Sequence, residues 1–368
     1  MNLSKSQEIN ILKGLGIIAV VMGHAGSPFT PYIYLYHMAL FFFITGYLYK
    51  PKYEESPYLF FKRKIKTLYI PFIKFELFFL ILRNFFITIH FYNTSQVEYI
   101  ESFKSFLENI LYIFTFNYTG DNLLGAIWFL KSLFYVNLLY LLFNIICNKI
   151  NFKNEFIKTT LVVILGFWGF YSISYGYNPI VYLNPNGNLF LSLILSLFDG
   201  RNFLLLAIYH FGFIFKKYGN NIPINLPFTI VSVFLLYLLS FKGKIDVSTY
   251  VFVSPIFFFI SSLVGIYINI YISSIINKTF LRRYFDYIGR NSLYIMLLHF
   301  MSFKLINFLV SLLYDMPLES ISGFPVSLYS GYWWFIYTIT GIVLPIILLK
   351  IYDALKSLIQ NKFNPLPE

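Results

Sequence analysis

Long runs of mainly apolar residues constrain this chain more than any other feature. A transmembrane helix requires roughly 20 such residues, and ten runs approach or exceed that length. Only 12% of the 368 residues are charged, against about 25% in soluble domains. We therefore predict an all-α, polytopic integral membrane protein with one transmembrane domain over residues 1–368. The ten predicted helices are 9–26, 32–49, 68–91, 126–148, 159–177, 200–215, 225–242, 250–275, 290–314 and 332–350.

Two shorter segments add to this pattern. An apolar run at 189–198 precedes the sixth predicted helix and is separated from it by Asp199-Gly200-Arg201-Asn202, so the two can combine into one span. Residues 101–114, in the longest outer loop, can form a short amphipathic helix. A helix of that kind lies in the plane of the membrane interface, and we expect it at the outer surface.

The distribution of basic residues predicts the topology. With the N-terminus in the cytoplasm, the inner segments hold 19 of the 28 Lys and Arg residues, and the outer segments hold four. The positive-inside rule then places both termini in the cytoplasm, which requires an even number of helices. We expect a multi-pass protein of the inner or plasma membrane of a bacterium.

Charge and cysteine content exclude several classes of partner. A net charge of +12 would suggest nucleic acid as the partner of a soluble protein. Here the basic excess lies in the inner loops, where anionic membrane lipids are the expected partner, so we expect no nucleic acid. The lone Cys147 excludes an intrachain disulfide and a multi-cysteine metal site, and no metal is expected.

Five basic residues nevertheless fall inside predicted helices. Charged groups are costly in lipid and indicate function by default, although a lysine near a helix end can also extend its ammonium to the interface. The five residues are Lys13, Lys74, Arg83, Lys131 and Lys304.

The first predicted helix carries Lys13 at one end and His24 at the other. Eleven residues separate them, which puts both on one helix face about 16 Å apart along the axis. Gly16 and Val20 lie between them on this face, and small residues allow close approach of another helix or an elongated ligand. Two interpretations stay open: a packing face with a snorkelling lysine, or a groove that joins a basic group to an imidazole.

His37 follows His24 after 13 residues and one tight turn. The two histidines should therefore lie near the outer ends of adjacent antiparallel helices. Neutral histidine is a poor lipid contact, so we expect both side chains to face the protein interior or an aqueous cavity. This placement allows them to share one cavity.

Six segments resemble a known family in sequence and in order. The resemblance is to the membrane-bound acyltransferase 3 family, and in particular to the fucose 4-O-acetylase-like O-acetyltransferases. It covers most of the chain between residues 9 and 300. The segments are "ILKGLGIIAVVMGHAG", "YIYLYHMALFFFITGYLYK", "FFKRKIKTLYIPF", "AIWFLKSLF", "YIGRNSLYIMLLHF" and, more weakly, "YHFGFIFKKY".

The resemblance implies a ten-helix membrane enzyme that moves an acyl group, commonly acetyl from acetyl-CoA, onto hydroxyls of surface glycans. Lys13 and His24 occupy the positions of the family's first-helix basic residue and its proposed catalytic histidine. The family often has Arg at the first of these positions and Asp where Asn10 stands. Its Arg-x-x-Arg motif is here Arg63-Lys64-Ile65-Lys66, so the second arginine is a lysine.

These correspondences imply roles for particular residues. His24 would be the general base, since a neutral imidazole suits that task near pH 7. His37 would orient His24 or assist proton movement. Lys13 and the cluster Lys62, Arg63, Lys64 and Lys66 would bind the phosphates of acetyl-CoA. Trp128 and His299 would line the acceptor side, and the oxyanion donor is not identified.

The sequence leaves alternatives open. Four basic residues beside an inner helix end also follow from the positive-inside rule alone. The chain could instead export a glycan or a lipid-linked saccharide without acyl transfer, or pass acyl groups to a separate transferase outside. A covalent acyl-histidine route is a variant of the main mechanism. The expected partners are acetyl-CoA, a glycan or lipid-linked saccharide acceptor, and membrane lipids.

Overall fold

The regular structure is helical. The computed structural model describes residues 6–93, 95, 97–117, 122–177, 183–184, 186–329 and 331–363. Within these ranges no strand occurs, and an isolated antiparallel bridge between Asp246 and Val251 is the only β-type pairing. The prediction of an all-α protein is therefore confirmed for the described part of the chain.

Most of the helices follow the apolar runs, and the second and third runs show the main differences. The second run divides into a four-residue helix and a longer one that begins at His37, and the third is preceded by a basic helix that joins it through a π-helical segment. In chain order the helices are α1 (Ser6–His24), α2 (Thr30–Ile33), α3 (His37–Tyr47), α4 (Pro57–Lys64), the π-helical segment (Ile65–Tyr69), α5 (Ile70–Thr88), α6 (Phe103–Phe114), α7 (Trp128–Lys149), α8 (Glu155–Ser174), α9 (Leu189–Leu195), α10 (Gly200–Tyr218), α11 (Leu226–Ser240), α12 (Pro255–Ile276), α13 (Arg282–Arg290), α14 (Ser292–Leu313) and α15 (Trp333–Phe363).

In the part of the chain that the structure describes, five helices are long and apolar enough to cross a membrane, judged by length and composition. They are α7, α8, α12, α14 and the Trp333–Leu358 part of α15. A sixth candidate is the pair Leu189–Phe198 and Gly200–Asn221, whose axes meet at a bend of 44°, so the apolar run at 189–198 does adjoin the sixth predicted helix. The chain is thus a helical membrane protein, while ten spans and cytoplasmic termini stay predictions.

α1 lies at the centre of the bundle, where it contacts α3, α12, α13, α14 and α15. Its closest contact is with α13, because glycines face each other across the two helices. A Cβ atom at Gly14 would lie 2.5 Å from the Phe285 carbonyl oxygen. Beside it, Asn10 donates a hydrogen bond to Asp286 at 2.9 Å. This packing holds the Lys13 end of α1 in a fixed position.

α3 is held against α10 in the same way. A Cβ atom at Gly46 would lie 1.7 Å from the Tyr209 carbonyl oxygen, and one at Gly212 would lie 2.0 Å from the Phe43 carbonyl oxygen. Only glycine at both crossings allows the backbones to approach this closely. The contact sets the position of His37, which begins α3.

Two loops cover the end of the bundle where α1 reaches His24. The loop 243–253 contains the Asp246–Val251 bridge. The second is the loop after α14, where the carbonyl oxygens of Ile321, Ser322 and Gly323 accept hydrogen bonds from Lys304 of α14 at 3.3, 3.1 and 2.8 Å. Within α7, Lys131 donates to the Phe116 carbonyl oxygen at 2.7 Å. Lys131 and Lys304 therefore hold neighbouring backbone segments in place, and their charge has a structural role.

Candidate active site

A small cavity lies at the His24 end of α1. Its volume is about 30 Å³, which is room for a water molecule or a single hydroxyl group. The wall combines α1, the turn after α2, α3, the start of α7, the loop 243–253 and Met296 of α14. Its polar lining residues are His24, Tyr34, His37, Trp128, Asp246 and Ser248. Three predicted site residues, His24, His37 and Trp128, thus meet at one cavity.

His24 is held by aromatic neighbours and by one hydrogen bond. Its Nδ1 lies 3.2 Å from the Tyr34 hydroxyl oxygen. Its ring stacks on His299 with a centroid distance of 5.4 Å and lies 4.8 Å from the Phe300 ring. When Nδ1–H donates to Tyr34, the lone pair on Nε2 is free to accept a proton. The contacts therefore suit a histidine that acts as a base.

His37 does not bond to His24, because Tyr34 lies between their rings. The Tyr34 ring centroid is 6.0 Å from that of His24 and 4.9 Å from that of His37. His37 Nδ1 lies 2.9 Å from the Ile33 carbonyl oxygen, so Nδ1–H donates and Nε2 is an acceptor. Tyr34 is thus the residue in contact with the His24 Nδ1, and a proton-transfer role for His37 stays a prediction.

His299 lies behind His24 and outside the cavity lining. It is fully buried, and its Nδ1 donates to the Met296 carbonyl oxygen at 2.8 Å. Its Nε2 has no hydrogen-bond partner among the described residues. The geometry makes His299 a support for the His24 ring. A direct contact with the acceptor, the role implied for His299 by family resemblance, would require movement of His24 or Phe300.

Trp128 forms one wall of the cavity and packs against a buried arginine. The Arg201 guanidinium lies 4.8 Å from the Trp128 ring and 4.6 Å from the Tyr250 ring. Arg201 also pairs with Asp199 at 3.4 Å. Tyr250 donates to the same carboxylate at 2.7 Å. Arg201 therefore connects Trp128 to the loop 243–253, and its charge is neutralised.

A larger cavity of about 190 Å³ lies toward the Lys13 end of α1. Its walls are mainly aliphatic, and its polar lining residues are Lys13, Thr45, Thr67 and Ser292. The hydroxyls of Thr45 and Thr67 donate to backbone carbonyls of their own helices at 2.8 and 2.9 Å, so their oxygens can still accept hydrogen bonds. The cavity can hold an elongated apolar chain with amide groups and an anion at the Lys13 end.

Three side chains separate the two cavities. Phe41, Phe129 and Met296 line both of them, and the two phenylalanine rings lie 5.6 Å apart in an edge-to-face arrangement. Methionine is flexible and can move aside more easily than a branched side chain. The Lys13 cavity and the His24 cavity are therefore adjacent compartments along α1 with one narrow partition.

The structure separates the predicted basic cluster into two groups. None of the four cluster residues lines the large cavity, and the groups differ in exposure: Lys62, Arg63 and Lys66 are exposed. Lys64 is partly buried and lies over the Phe60 ring at 4.9 Å. Burial, together with the charges of Arg63 and Lys13, lowers the pKa of the Lys64 ammonium to about 7. Lys13 and Lys64 thus form a pair of cations that an anion would stabilise.

The sequence analysis did not identify Tyr34 or Asp246 as site residues. It named Lys64 only as one member of the basic cluster. Tyr34 had a detectable signal, since it lies three residues before His37 in the segment that turns back toward His24. Asp246 had none, because it lies in an irregular loop far from both histidines in sequence. In the described part of the chain, no group of three His, Cys, Asp or Glu residues could hold a metal ion.

Comparison with known proteins gives one result. A family model described as an acyltransferase domain matches residues 6–350, which is nearly the whole chain. No curated protein and no solved structure matches the chain. The matched region contains both cavities and every residue that lines them. The chain therefore belongs to this family of membrane acyltransferases.

Proposed function

We propose that this protein transfers an acetyl group from cytoplasmic acetyl-CoA to a hydroxyl of a surface polysaccharide or its lipid-linked precursor. The observation that carries the proposal is the pair of adjacent cavities, one lined by Lys13 and the other by His24, with only Phe41, Phe129 and Met296 between them. Both chain termini and the Lys13 end would face the cytoplasm, and the His24 end would face outward.

The donor would enter from the Lys13 end. Its phosphates call for basic residues. Lys13 lines the large cavity, and the charge of Lys13 acts on the partly buried Lys64, so we place the phosphates between these two cations. The arm that carries the thioester combines short alkyl segments with amides, which match the aliphatic wall and the acceptor oxygens of Thr45 and Thr67. The thioester would then pass the partition and reach His24. This route explains how a cytoplasmic donor reaches a base near the opposite membrane face.

The chemistry would proceed by direct transfer. His24 Nε2 takes the proton from the acceptor hydroxyl while the hydroxyl oxygen attacks the thioester carbonyl carbon. The carbon–sulfur bond then breaks, and the imidazolium returns its proton to the departing thiolate. Tyr34 would hold the His24 ring through Nδ1 at 3.2 Å. The small cavity admits the reacting hydroxyl and excludes bulk water, which limits hydrolysis of the thioester.

Replacing Lys13 by alanine should raise the KM for acetyl-CoA about tenfold or more, because a charge-assisted hydrogen bond to phosphate is lost. Lys13→Arg should keep most of the affinity. The measurement is transfer of labelled acetyl from acetyl-CoA by the purified protein in lipid nanodiscs. Lys149→Ala is the matched control, since Lys149 is an exposed lysine away from both cavities.

Arg63→Ala should raise the same KM by less than Lys13→Ala does, because Arg63 is exposed and donates to the Tyr53 hydroxyl at 3.3 Å. An unchanged KM in Arg63→Ala would show that this arginine only sets topology. An unchanged KM in Lys13→Ala would contradict the donor site itself.

The KM for acetyl-CoA should also rise with pH above about 7, where Lys64 loses its proton in the free protein. A bound phosphate raises the pKa of this ammonium, so donor binding takes up a proton, and the affinity can fall by up to about tenfold per pH unit. Lys64→Arg stays charged throughout this range. It should bind the donor with little pH dependence between pH 7 and 9, and an unchanged slope would exclude Lys64 from the donor site.

A further inference from the structure

Asp246 lies in the wall of the small cavity, opposite the histidines. Of the described residues that line this cavity, it alone carries a formal charge when the two histidines are neutral. It comes from the loop 243–253, far from α1 and α3 in sequence. The wall that an incoming acceptor meets therefore combines one carboxylate with the Trp128 ring and the Ser248 hydroxyl.

The carboxylate is held in one orientation. Its Oδ1 accepts hydrogen bonds from the Ser248 backbone N–H at 2.9 Å, the Ser248 hydroxyl at 2.5 Å and the Thr249 backbone N–H at 3.3 Å. The backbone of Asp246 is paired with Val251 in both directions, at 2.8 and 2.9 Å. Within the described residues, Oδ2 has no bonded partner, and it is not among the buried, unsatisfied oxygens. One oxygen is thus fixed and the other is available to a ligand.

Arg201, the buried cation that contacts this loop, does not pair with Asp246. Arg201 pairs with Asp199 at 3.4 Å and lies between the Trp128 and Tyr250 rings. Its Nη1 donates only weakly, at 3.5 Å, to the carbonyl oxygens of Val247 and Ser248. Arg201 therefore fastens the loop that presents Asp246 and leaves the Asp246 charge uncompensated at the cavity.

We propose that Asp246 Oδ2 accepts a hydrogen bond from a hydroxyl of the acceptor sugar next to the reacting one, and that its charge selects an uncharged sugar over one that bears a carboxylate. The inference rests on the proposed acetyl transfer and names the acceptor class for it. The small cavity receives the reacting hydroxyl, and the sugar ring lies against Trp128 and Asp246 at its mouth. A uronic or sialic acid would bring like charge to this carboxylate, which is strongly unfavourable.

The test compares two acceptors that differ in one group. The probes are p-nitrophenyl β-glucoside and p-nitrophenyl β-glucuronide, with labelled acetyl-CoA as donor and the full-length protein in nanodiscs. The wild type should use the glucoside at least about tenfold more efficiently in kcat/KM. Asp246→Asn keeps the Oδ1 acceptor for Ser248 and Thr249 and removes the charge. This variant should lower the ratio of kcat/KM for the glucoside to kcat/KM for the glucuronide by about tenfold.

Thr249→Ala is the matched control. It lies in the same loop, contacts Asp246 only through its backbone N–H, and should keep the wild-type ratio. Equal ratios in the wild type and Asp246→Asn, with both proteins active, would overturn the role of Asp246 and leave the proposed acetyl transfer standing. Absence of acetyl transfer to any acceptor by the wild type would overturn the proposed function together with this inference.

Discussion

The His24→Ala variant is expected to lose acetyl transfer almost completely, with kcat reduced by about 10²–10⁴-fold, the usual contribution of a general base. His24 is the only histidine on α1, and its side chain lines the small cavity. The variant leaves a cavity at the end of a helix that is packed along its length against α3, α12, α13, α14 and α15, so the protein should still fold. The measurement is acetyl ester on the product glycan by NMR, together with labelled acetyl transfer by the purified protein.

His90→Asn is the matched control for this variant. His90 has a positive φ of 59°, a conformation that asparagine tolerates well, and it lies outside both cavities. It should retain wild-type activity. Wild-type amounts of acetyl ester in the His24→Ala strain would refute the assignment of His24 as the base.

The same variant separates acetyl transfer from export. If the protein transfers acetyl groups, His24→Ala cells should make and export the glycan without its O-acetyl groups. If the protein exports the glycan, the variant should retain glycan inside the cell with its acetylation unchanged. The two outcomes differ in where the glycan is found and in what it carries, so one strain and one glycan preparation decide between them.

The Gly46→Ala variant is expected to lose most of its folded population. The added methyl group would lie 1.7 Å from the Tyr209 carbonyl oxygen, and neither helix backbone can move aside without breaking the α3–α10 contact. We expect a loss of about 3 kcal/mol or more in the free energy of unfolding, at the upper end of overpacking effects. Thermal unfolding of the detergent-solubilised protein and its yield after size-exclusion chromatography are the measurements.

Gly219→Ala, at the end of α10, is a milder Gly→Ala substitution with which the loss of stability in Gly46→Ala can be compared. Its added methyl group would meet the Phe215 side chain at 2.9 Å, and a side chain can rotate where a carbonyl cannot. It should destabilise the protein much less than Gly46→Ala. A melting temperature of Gly46→Ala equal to that of the wild type would show that α3 and α10 are not held as closely as described.

The helices themselves follow from local sequence. A run of apolar residues with few charges forms a helix wherever lipid is the solvent, because backbone groups have no other partner there. This is why most of the helices correspond to apolar runs, whereas the short helices α4 and α13 are rich in basic residues. The amphipathic segment 101–114 is found as α6 (Phe103–Phe114). The boundaries were less predictable. The division of the second run at residues 34–36 depends on how Tyr34 packs against His24 and His37.

Intramembrane charge alone did not identify function. Lys131 and Lys304 have the same signal in the sequence as Lys13, yet each donates to backbone carbonyls, while Lys13 lines the large cavity. His210 likewise contacts Tyr140 and Thr159 through its two ring nitrogens, which is a structural arrangement. The unfavourable free energy of a charged side chain in lipid can be offset by a hydrogen bond to a backbone carbonyl or to a substrate. Only the tertiary contacts show which of the two applies.

By itself, the sequence determined that the chain is a helical membrane protein, that it resembles the acyltransferase family to which it belongs, and that Lys13 and His24 lie on one helix. These are local properties, since they depend on composition and on the 3.6-residue period. Only the tertiary structure decided that Tyr34 holds His24, that Lys64 is partly buried while Lys62 and Lys66 are exposed, and that Asp246 lines one cavity with His24 and His37. These contacts join segments up to some 220 residues apart, and no local pattern encodes which distant side chains close-packed helices bring together.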